Sequence, residues 1–186
     1  MPIPERVRVH APATLSNLGP GFDVLGLALN EPGDYVEAEW SDSPGVEIME
    51  VRGDDGQLNC DPTRNVVGIA ATAMLAAHDA DETTSRPPGV RLWLEKQMPL
   101  ASGLGSSAAS SVGGALAVNE LLGGALDRDQ LIVSALEGEQ AVSGGIHADN
   151  VVPCVTGGIV LIRSYAPMEL LSLPVPDALR VAVVHP

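Results

Sequence analysis

The pattern of predicted strands and helices in this 186-residue chain favours an α+β fold. Residues 6–10, 35–40 and 46–51 are short β-prone runs separated by Pro and Gly turns, and an antiparallel N-terminal sheet is their simplest arrangement. Residues 65–78 carry apolar side chains at helical spacing, and a long Ala-rich helix begins at residue 106. The sequence therefore predicts a sheet combined with packed helices.

The middle of the chain contains further elements with clear beginnings and ends. Residues 79–88 are expected to form an exposed loop, and the alternation of apolar and more polar side chains over residues 90–95 predicts a strand with one mixed face. The helix that begins at residue 106 is expected to end at Gly123 and Gly124. Asp127 is a suitable N-cap for another helix that extends to about residue 142.

The last part of the chain predicts shorter elements. Ser143 and the two glycines after it are expected to end the helix, and residues 149–155 are expected to form a short one. Strands are predicted at residues 158–163 and 179–185. The chain stops directly after a β-prone run, so we expect it to be truncated.

Composition restricts the classes of function. The net charge is −14, and a single lysine, Lys96, stands against nine arginines, which argues against a nucleic-acid partner. A protein that binds phosphate with so few basic groups must use backbone N–H groups and a divalent cation, so magnesium is implied indirectly. The acidic, lysine-poor balance is also typical of proteins from salt-accumulating organisms.

Other features of composition point to a cytoplasmic protein without a membrane partner. Hydrophobic residues make up 45% and aromatic residues 3% of the chain, so Ala, Val and Leu must fill the core. There is no apolar signal segment and no apolar run of about 18 residues, the length of a membrane span. Cys60 and Cys154 lack the spacing of a disulfide framework or a zinc site, and we expect both to be buried and reduced.

A glycine and serine turn between the mixed strand and the Ala-rich helix is the first candidate site. Gly103 and Gly105 allow a tight turn, and the helix that follows would offer free N–H groups and its positive dipole end to an anion. A Walker loop requires a lysine that is absent here, and the amphipathic strand makes a dinucleotide-binding turn a weak match. A phosphate site and simple tight packing of strand and helix both remain open from the turn alone.

Two other clusters carry polar side chains that could bind a ligand or a metal ion. Asn17 and Asp23 bracket a rigid Gly-Pro-Gly loop, which is either an ordinary turn or a site for a polar group such as an amine. Glu139 lies near the end of its predicted helix, where the dipole disfavours a carboxylate, so a metal partner would explain it better than capping. An ordinary solvated Glu139, a surface His147 and an N-cap role for Asp149 remain alternatives.

Taken in chain order, residues 7–29, 99–109 and 145–158 resemble the homoserine kinase family of the GHMP kinase superfamily. The turn alone would indicate only the superfamily, which also includes galactokinase and mevalonate kinase. The segments Asn-Leu-Gly-Pro-Gly-Phe-Asp and His-Ala-Asp-Asn indicate the homoserine kinases. The resemblance implies a fold like domain 2 of ribosomal protein S5, and ATP-dependent phosphorylation of the L-homoserine hydroxyl to O-phospho-L-homoserine in threonine biosynthesis.

The resemblance also implies roles for individual residues. Magnesium would be held by Ser107 and Glu139, and Asn65 would lie near the adenine pocket. The substrate L-homoserine would be held by Asn17, Asp23, His147 and Asn150, and Ser107, Glu139 and Asn150 would be the catalytic residues. The ATP phosphates would be bound by the turn, which consists of Pro99, Leu100, Ala101, Ser102, Gly103, Leu104, Gly105, Ser106, Ser107, Ala108 and Ala109.

The resemblance suggests transfer without a protein base. Mevalonate-type relatives place an aspartate where this chain carries Asn150, and an amide cannot accept the proton. Asp149 is the alternative base, although we expect it to have a structural role.

Family members are longer than this chain. We expect residues 1–163 to form the ATP-binding N-terminal domain, and residues 164–186 to begin the connection to a ferredoxin-like C-terminal domain that is missing here. The resemblance implies weak or absent kinase activity for the chain alone, exposed apolar surface where the second domain would pack, and a homodimer for the intact protein. Another small-alcohol kinase, such as a mevalonate kinase, and a nucleotide-binding fragment without catalysis are the alternatives.

Overall fold

The computed structural model describes residues 4–80, 86–143 and 147–183. Their elements in chain order are β1 (Arg6–Ser16), β2 (Leu25–Ser41), β3 (Gly45–Arg52), α1 (Val66–Asp79), β4 (Gly89–Glu95), α2 (Ser106–Leu121), α3 (Arg128–Ser143), α4 (Ala148–Thr156), β5 (Ile159–Tyr165) and β6 (Met168–Leu173). The chain thus combines a mixed sheet with four helices, and the α+β prediction is confirmed.

One sheet contains all six strands. Its order is β3-β4-β2-β5-β6, with β1 paired antiparallel to the long strand β2. The expected antiparallel arrangement is correct for the first two β-prone runs, which lie in β1 and β2. It is wrong for the third, because β3 runs parallel to β4, with Gly45 opposite Gly89. The chain makes this parallel pair through α1, since parallel neighbours need a crossover connection.

The two faces of the sheet differ in polarity. Val9, Ala11 and Ala13 of β1 are buried towards the helices, whereas Arg6 and Arg8 alternate with them and are exposed. The same alternation in β4 buries Val90, Leu92 and Leu94, as the sequence predicted. Helices cover one face of the sheet, and a network of Arg–Glu ion pairs covers the other.

Small residues allow α2 to lie close to its neighbours. Ala, Val and Leu supply most of the buried apolar side chains, as composition predicted. A Cβ at Gly113 would come within 2.6 Å of the Val36 side chain, and one at Gly114 within 2.3 Å of the Val67 carbonyl oxygen. The helix therefore packs at short distance between the sheet and α1, which places its N-terminus at the candidate site.

The predicted helices correspond to the observed ones within one or two residues at each end. Asn65 is the N-cap of α1, and its side chain accepts a hydrogen bond from the Val67 N–H. Asp127 Oδ1 accepts from the Gln130 N–H over 2.9 Å, and Gln130 Oε1 accepts from the Asp127 N–H over 3.0 Å. These two bonds form a capping box at the beginning of α3, so the predicted cap is confirmed.

The C-terminal part of the chain differs most from expectation. Strand β5 confirms the prediction at residues 158–163, but β6 was not predicted. The strand expected at residues 179–185 is wrong for residues 179–183, which are exposed and pair with no strand, and residues 184–186 lie outside the described part. A β-prone sequence forms a strand only where a partner supplies the hydrogen bonds. The expected domain boundary at residue 163 falls inside β5, and the division itself remains a prediction.

Three further expectations concern exposure, a loop and membrane association. Cys154 is buried as expected, whereas Cys60 is exposed because it lies in the turn segment before α1. Within the expected loop at residues 79–88, residues 81–85 lie outside the described part, and Asp79 belongs to α1. None of the helices in the described ranges combines the length and the apolar character needed to cross a bilayer.

Candidate functional site

The glycine and serine turn connects β4 to α2 and depends on two unusual glycine conformations. Gly103 has φ = +74° and Gly105 has φ = +64°, values that L side chains rarely adopt. A Cβ at Gly105 would also lie 2.1 Å from the Thr14 hydroxyl oxygen. The Thr14 N–H donates to the Leu104 carbonyl over 3.0 Å, so the turn is held directly against β1.

The N-terminus of α2 is open. Gly105 is its N-cap residue, and no side chain in the described ranges caps the helix. The first N–H groups of a helix lack partners within the helix and carry a partial positive charge. This turn can therefore bind an anion such as a phosphate group through its backbone.

Ser107 and Glu139 meet beside the first turn of α2. The Ser107 hydroxyl donates to Glu139 Oε1 over 2.9 Å, although the residues lie 32 positions apart. Glu139 is only 7% exposed, and burial raises the pKa of its carboxyl group, while the Ser107 hydrogen bond and nearby His147 act in the opposite direction. A hydroxyl and a buried carboxylate next to an anion site are oxygen donors of the kind that Mg²⁺ uses together with phosphate oxygens.

This donor pair also fits the rest of the described structure. No group of three or more His, Cys, Asp or Glu residues suited to a metal occurs in the described ranges. Mg²⁺ does not require one, because it commonly takes one or two protein ligands and completes its shell with phosphate oxygens and water. Ser107 and Glu139 therefore have the chemistry to hold magnesium that arrives with a nucleotide.

Lys96 lies beneath the same helix turn. Its Nζ contacts the Asp34 carboxylate and donates to the Ser106 carbonyl and the Ser110 hydroxyl, each over 2.8 Å. The two charged side chains are 1% and 0% exposed. Burial lowers the pKa of Lys96, although the charge of Asp34 opposes that shift. The ion pair is therefore hydrogen-bonded to the first turn of α2 and helps to fix its position.

A cavity of about 400 Å³ adjoins the turn, a volume suited to a small-molecule ligand. Apolar and polar side chains both contribute to its wall. The lining residues are Ser16, Leu58, Asn59, Arg64, Asn65, Val66, Lys96, Leu100, Ala101, Ser102, Gly103, Gly105, Ser106, Ser107, Ser110, Val142 and Asn150.

Asn150 lies in the first turn of α4 and contacts β1. Its Oδ1 accepts from the Thr14 hydroxyl over 2.9 Å. With the side-chain oxygen engaged, the amide NH₂ is the group that Asn150 can offer to a ligand. Asn150 therefore brings a hydrogen-bond donor to the cavity wall next to the turn.

The loop between β1 and β2 carries Asn17 and Asp23 and has a distinctive backbone. Both residues have positive φ, +56° and +57°, and Asn17 Oδ1 accepts from the Asp23 N–H over 2.8 Å. Non-glycine residues in this conformation are uncommon and are held by their surroundings. Here the Asn17 side chain closes the loop and thereby sets the position of Asp23.

Asp149 lies close to that loop at the beginning of α4. It is 2% exposed, and its Oδ1 has no hydrogen-bond partner in the described part of the chain. Burial raises the pKa of Asp149, the negative charge of Asp23 adds to the effect, and a hydrogen bond from Ser16 opposes it. His147, the N-cap residue of α4, lies next to this acidic pair.

The structure groups some predicted site residues closely and leaves others apart. Asn65, Asn150 and most of the turn line the cavity beside α2. Glu139 is hydrogen-bonded to Ser107, which also lines this cavity. Ala108 and Ala109 are fully buried in the core, and Leu104 packs there too. Asn17, Asp23 and His147 are not in the cavity wall and form a separate corner with Asp149.

Sequence analysis missed several residues of the site. The local sequence gives Lys96 no role beyond its charge, and it singles out neither Asp34 nor Thr14. A single lysine in a chain of this acidity could have suggested a buried ion pair, but nothing local indicated its partner. Tyr165 was also missed, because it reaches Asp23 across 142 positions.

The fold assigns the chain to a known family of domains. Residues 65–158 match the family described as the GHMP kinases N terminal domain, and the chain belongs to this family. Mevalonate kinase from Methanococcus jannaschii shares the fold, with a TM-score of 0.69 over 93% of this chain at 16% identity.

Proteins that are more similar to this chain in sequence are homoserine kinases. The chain is 42% identical over 97% of its length to a homoserine kinase from Chlorobium phaeobacteroides, and 37% identical over 96% to one from Methanococcus maripaludis. The crystal structure of homoserine kinase from Cytophaga hutchinsonii matches with a TM-score of 0.85 and 45% identity over 95% of this chain. The chain spans 58% and 57% of the first two proteins and 54% of the third.

Proposed function

We propose that this chain supplies the ATP site of a homoserine kinase, which transfers the γ-phosphoryl group of ATP to the hydroxyl of L-homoserine in threonine biosynthesis. The observation that carries the proposal is the pair Ser107 and Glu139, 2.9 Å apart at the open N-terminus of α2. The chain spans 58% of a homoserine kinase that is 42% identical to it, so the proposed activity is that of a protein of full length.

The ATP phosphates are proposed to bind the backbone of the turn from Pro99 to Ala109. Open N–H groups there neutralise phosphate charge without a surface lysine, since Lys96 is buried against Asp34. Asn65 lines the same cavity, so we propose that the adenine lies on that side. Its side chain both caps α1 and donates to the Asn59 carbonyl over 2.8 Å, so two hydrogen bonds hold it in this wall.

Ser107 and Glu139 are proposed to hold Mg²⁺. A bound magnesium ion would neutralise charge on the β- and γ-phosphates during transfer. Glu139 is held in place by the Ser107 hydroxyl and can act as a ligand only when deprotonated. The role of these residues is therefore to position and to balance charge, which is most of what phosphoryl transfer needs from a protein.

The acceptor is proposed to bind beside Asn17, Asp23, His147 and Asn150. Asp23 offers a carboxylate to the substrate ammonium group, and such an ion pair discriminates against alcohols that lack the amine. The Asn150 NH₂ group can donate to the acceptor hydroxyl or to a phosphate oxygen, because its Oδ1 already accepts from Thr14.

We propose that no side chain serves as the general base. Asn150 cannot accept the proton. Asp149 is buried and hydrogen-bonded to Ser16, and we propose a structural role for it. The acceptor proton then passes to a phosphate oxygen or to water as the new oxygen-phosphorus bond forms and the bond to ADP breaks.

Three further proposals concern the whole protein. Residues 1–163 form the ATP-binding domain, and residues 164–186 begin the connection to a second domain. The protein acts in the cytoplasm and forms a homodimer when intact. Sedimentation of the full-length protein would measure the last point directly, and a monomer at micromolar concentration would contradict it.

Calorimetric titration with ATP, in the presence of Mg²⁺ and then of EDTA, tests the nucleotide site. We expect binding that weakens at least about tenfold when EDTA removes the metal, and that Ser107→Ala weakens to a similar extent. Ser172→Ala, on the exposed edge strand β6, is the matched control and should bind as the parent does. Absence of nucleotide binding by the folded chain would overturn the proposal.

ADP release measured with L-homoserine or mevalonate tests the acceptor. We expect turnover that depends on homoserine when the full-length protein is used. Turnover with mevalonate alone would indicate the other branch of the superfamily, and nucleotide binding without turnover on either alcohol would indicate a binding module.

A further inference from the structure

Tyr165 connects three parts of the molecule at the end of β5. Its hydroxyl donates to the Asp23 carbonyl oxygen over 2.8 Å. Burial raises the pKa of the Tyr165 hydroxyl, and the backbone N–H of Ala148, the first residue of α4, acts on that pKa in the opposite direction. The phenol thus bonds the end of β5 to the loop between β1 and β2, beside the N-terminus of α4.

The joined parts carry the residues that we propose for the acceptor. Asp23 and Asn17 lie on the loop, and His147 immediately precedes α4. The negative charges of Asp23 and Asp149 add to the rise of the Tyr165 pKa. The Tyr165 hydroxyl is therefore one of the groups that fix the loop beside the helix.

The Tyr165 bond adds to one backbone contact between the end of the loop and β5, in which the Ile162 N–H donates to the Val24 carbonyl over 2.8 Å. Asn17 and Asp23 are both in the left-handed region, a conformation that costs free energy and persists only where the surroundings impose it. Asn17 closes the loop on itself, but that bond does not attach the loop to α4. Phe22, the residue before Asp23, is 73% exposed and adds little packing.

We propose that Tyr165 is a positioning residue of the acceptor site, whose hydroxyl holds the Asp23 loop against the N-terminus of α4. The inference rests on the proposed function for its substrate. Tyr165 does not contact the cavity beside the turn, so its role concerns the acceptor and not the nucleotide. Loss of the hydroxyl removes the bond to the Asp23 carbonyl, while the ring and the backbone bond at Val24 remain.

The two tyrosines of the chain provide a matched experiment. Tyr165→Phe removes the hydroxyl that makes the link. Tyr35→Phe removes the other phenol hydroxyl, on the polar face of the sheet, where the Tyr35 ring packs against His10 and under Arg8. Each variant and the parent are titrated with a non-hydrolysable ATP analogue and Mg²⁺, and then with L-homoserine. Amide hydrogen exchange is measured over residues 17–25 and 148–151.

We expect Tyr165→Phe to raise the dissociation constant for homoserine about five- to tenfold, the effect of losing one or two hydrogen bonds, and to speed exchange in both segments. Nucleotide affinity should stay within about twofold, and Tyr35→Phe should match the parent throughout. Unchanged homoserine affinity, or an equal loss of affinity for both ligands, would overturn the inference.

Failure of the proposed function gives a different result. A parent chain that binds the nucleotide analogue but not homoserine would contradict the proposed acceptor. Hydrogen exchange alone would then test whether the Tyr165 hydroxyl holds the Asp23 loop. Faster exchange of both segments in Tyr165→Phe would support that role, and unchanged exchange would refute it.

Discussion

The ammonium group of Lys96 lies against the Asp34 carboxylate, directly beneath the first turn of α2. Both side chains are almost completely buried, and Ser110 and the Gln97 N–H supply further hydrogen bonds. The charge of Lys96 is therefore balanced by Asp34 inside the domain and is not exposed to solvent. Because the Ser106 carbonyl also accepts from Lys96, the ion pair is bonded directly to the turn that we propose binds phosphate.

Removing one partner of this pair should strongly destabilise the domain. Lys96→Met or Asp34→Asn leaves a buried charge without its counterion, so each should lower the free energy of unfolding by about 3 to 5 kcal/mol. The double variant should lose less than the sum of the two, because neither charge remains. Urea denaturation measures all three, with Arg52→Met, from the exposed pair with Glu50, as a control that should not change stability measurably. Strictly additive losses would contradict the coupling.

Replacing Glu139 should weaken metal binding without unfolding the domain. Glu139→Gln keeps an oxygen that can accept from the Ser107 hydroxyl but removes the buried charge. We expect magnesium-dependent ATP binding to weaken at least about tenfold while the variant remains folded. Calorimetry with and without EDTA measures this effect, and Glu137→Gln on the same helix is the matched control. Full retention of magnesium dependence would contradict the assignment.

The same carboxylate should make stability and binding depend on pH in opposite ways. Burial raises the pKa of Glu139 in the folded state above its value in the unfolded chain, so between these two values the folded state binds more protons. Its contribution to the free energy of unfolding therefore falls as pH rises through that interval, whereas metal binding, which needs the carboxylate, improves. The comparison of parent and Glu139→Gln from about pH 4 to about pH 8, by melting temperature and by ATP affinity, should show a difference curve with these signs.

Glycine at position 105 should be required for both shape and space. Gly105→Ala introduces a left-handed alanine, and its Cβ would lie 2.1 Å from the Thr14 hydroxyl and 2.9 Å from Asn150 Oδ1. Gly123→Ala has a similar positive φ but no atom within 4 Å of the new Cβ, so it isolates the conformational cost of about 1 to 2 kcal/mol. Gly105→Ala should be less stable than this control and should lose ATP affinity. Equal stability of the two variants would show that the close contact is relieved without cost.

Asp149 should tolerate loss of its charge. Its raised pKa means that burial disfavours the ionised form, and an asparagine side chain at this position can still hydrogen bond to Ser16. We expect Asp149→Asn to melt at the same temperature as the parent or higher, and to preserve homoserine-dependent turnover in the full-length protein. Turnover abolished with folding and both substrate affinities intact would instead identify Asp149 as the general base.

Much of the fold was predictable because its elements are encoded locally. The helical spacing before Asp79, the cap at Asp127 and the glycines after Leu121 act over a few residues, and each predicted an element that the structure confirms. The parallel pairing of β3 and the unpaired residues 179–183 were not predictable in this way. Strand pairing depends on which partner lies alongside, and residues distant in sequence decide that.

By itself, the sequence determined where the helices begin and that the turn before α2 can adopt its left-handed glycines. Only the tertiary structure decided the partners of the buried polar groups. Lys96 meets Asp34 across 62 positions, Ser107 meets Glu139 across 32, and Tyr165 meets Asp23 across 142. Burial makes such partners energetically necessary, but their identity follows from how the sheet and helices pack, which no local pattern contains.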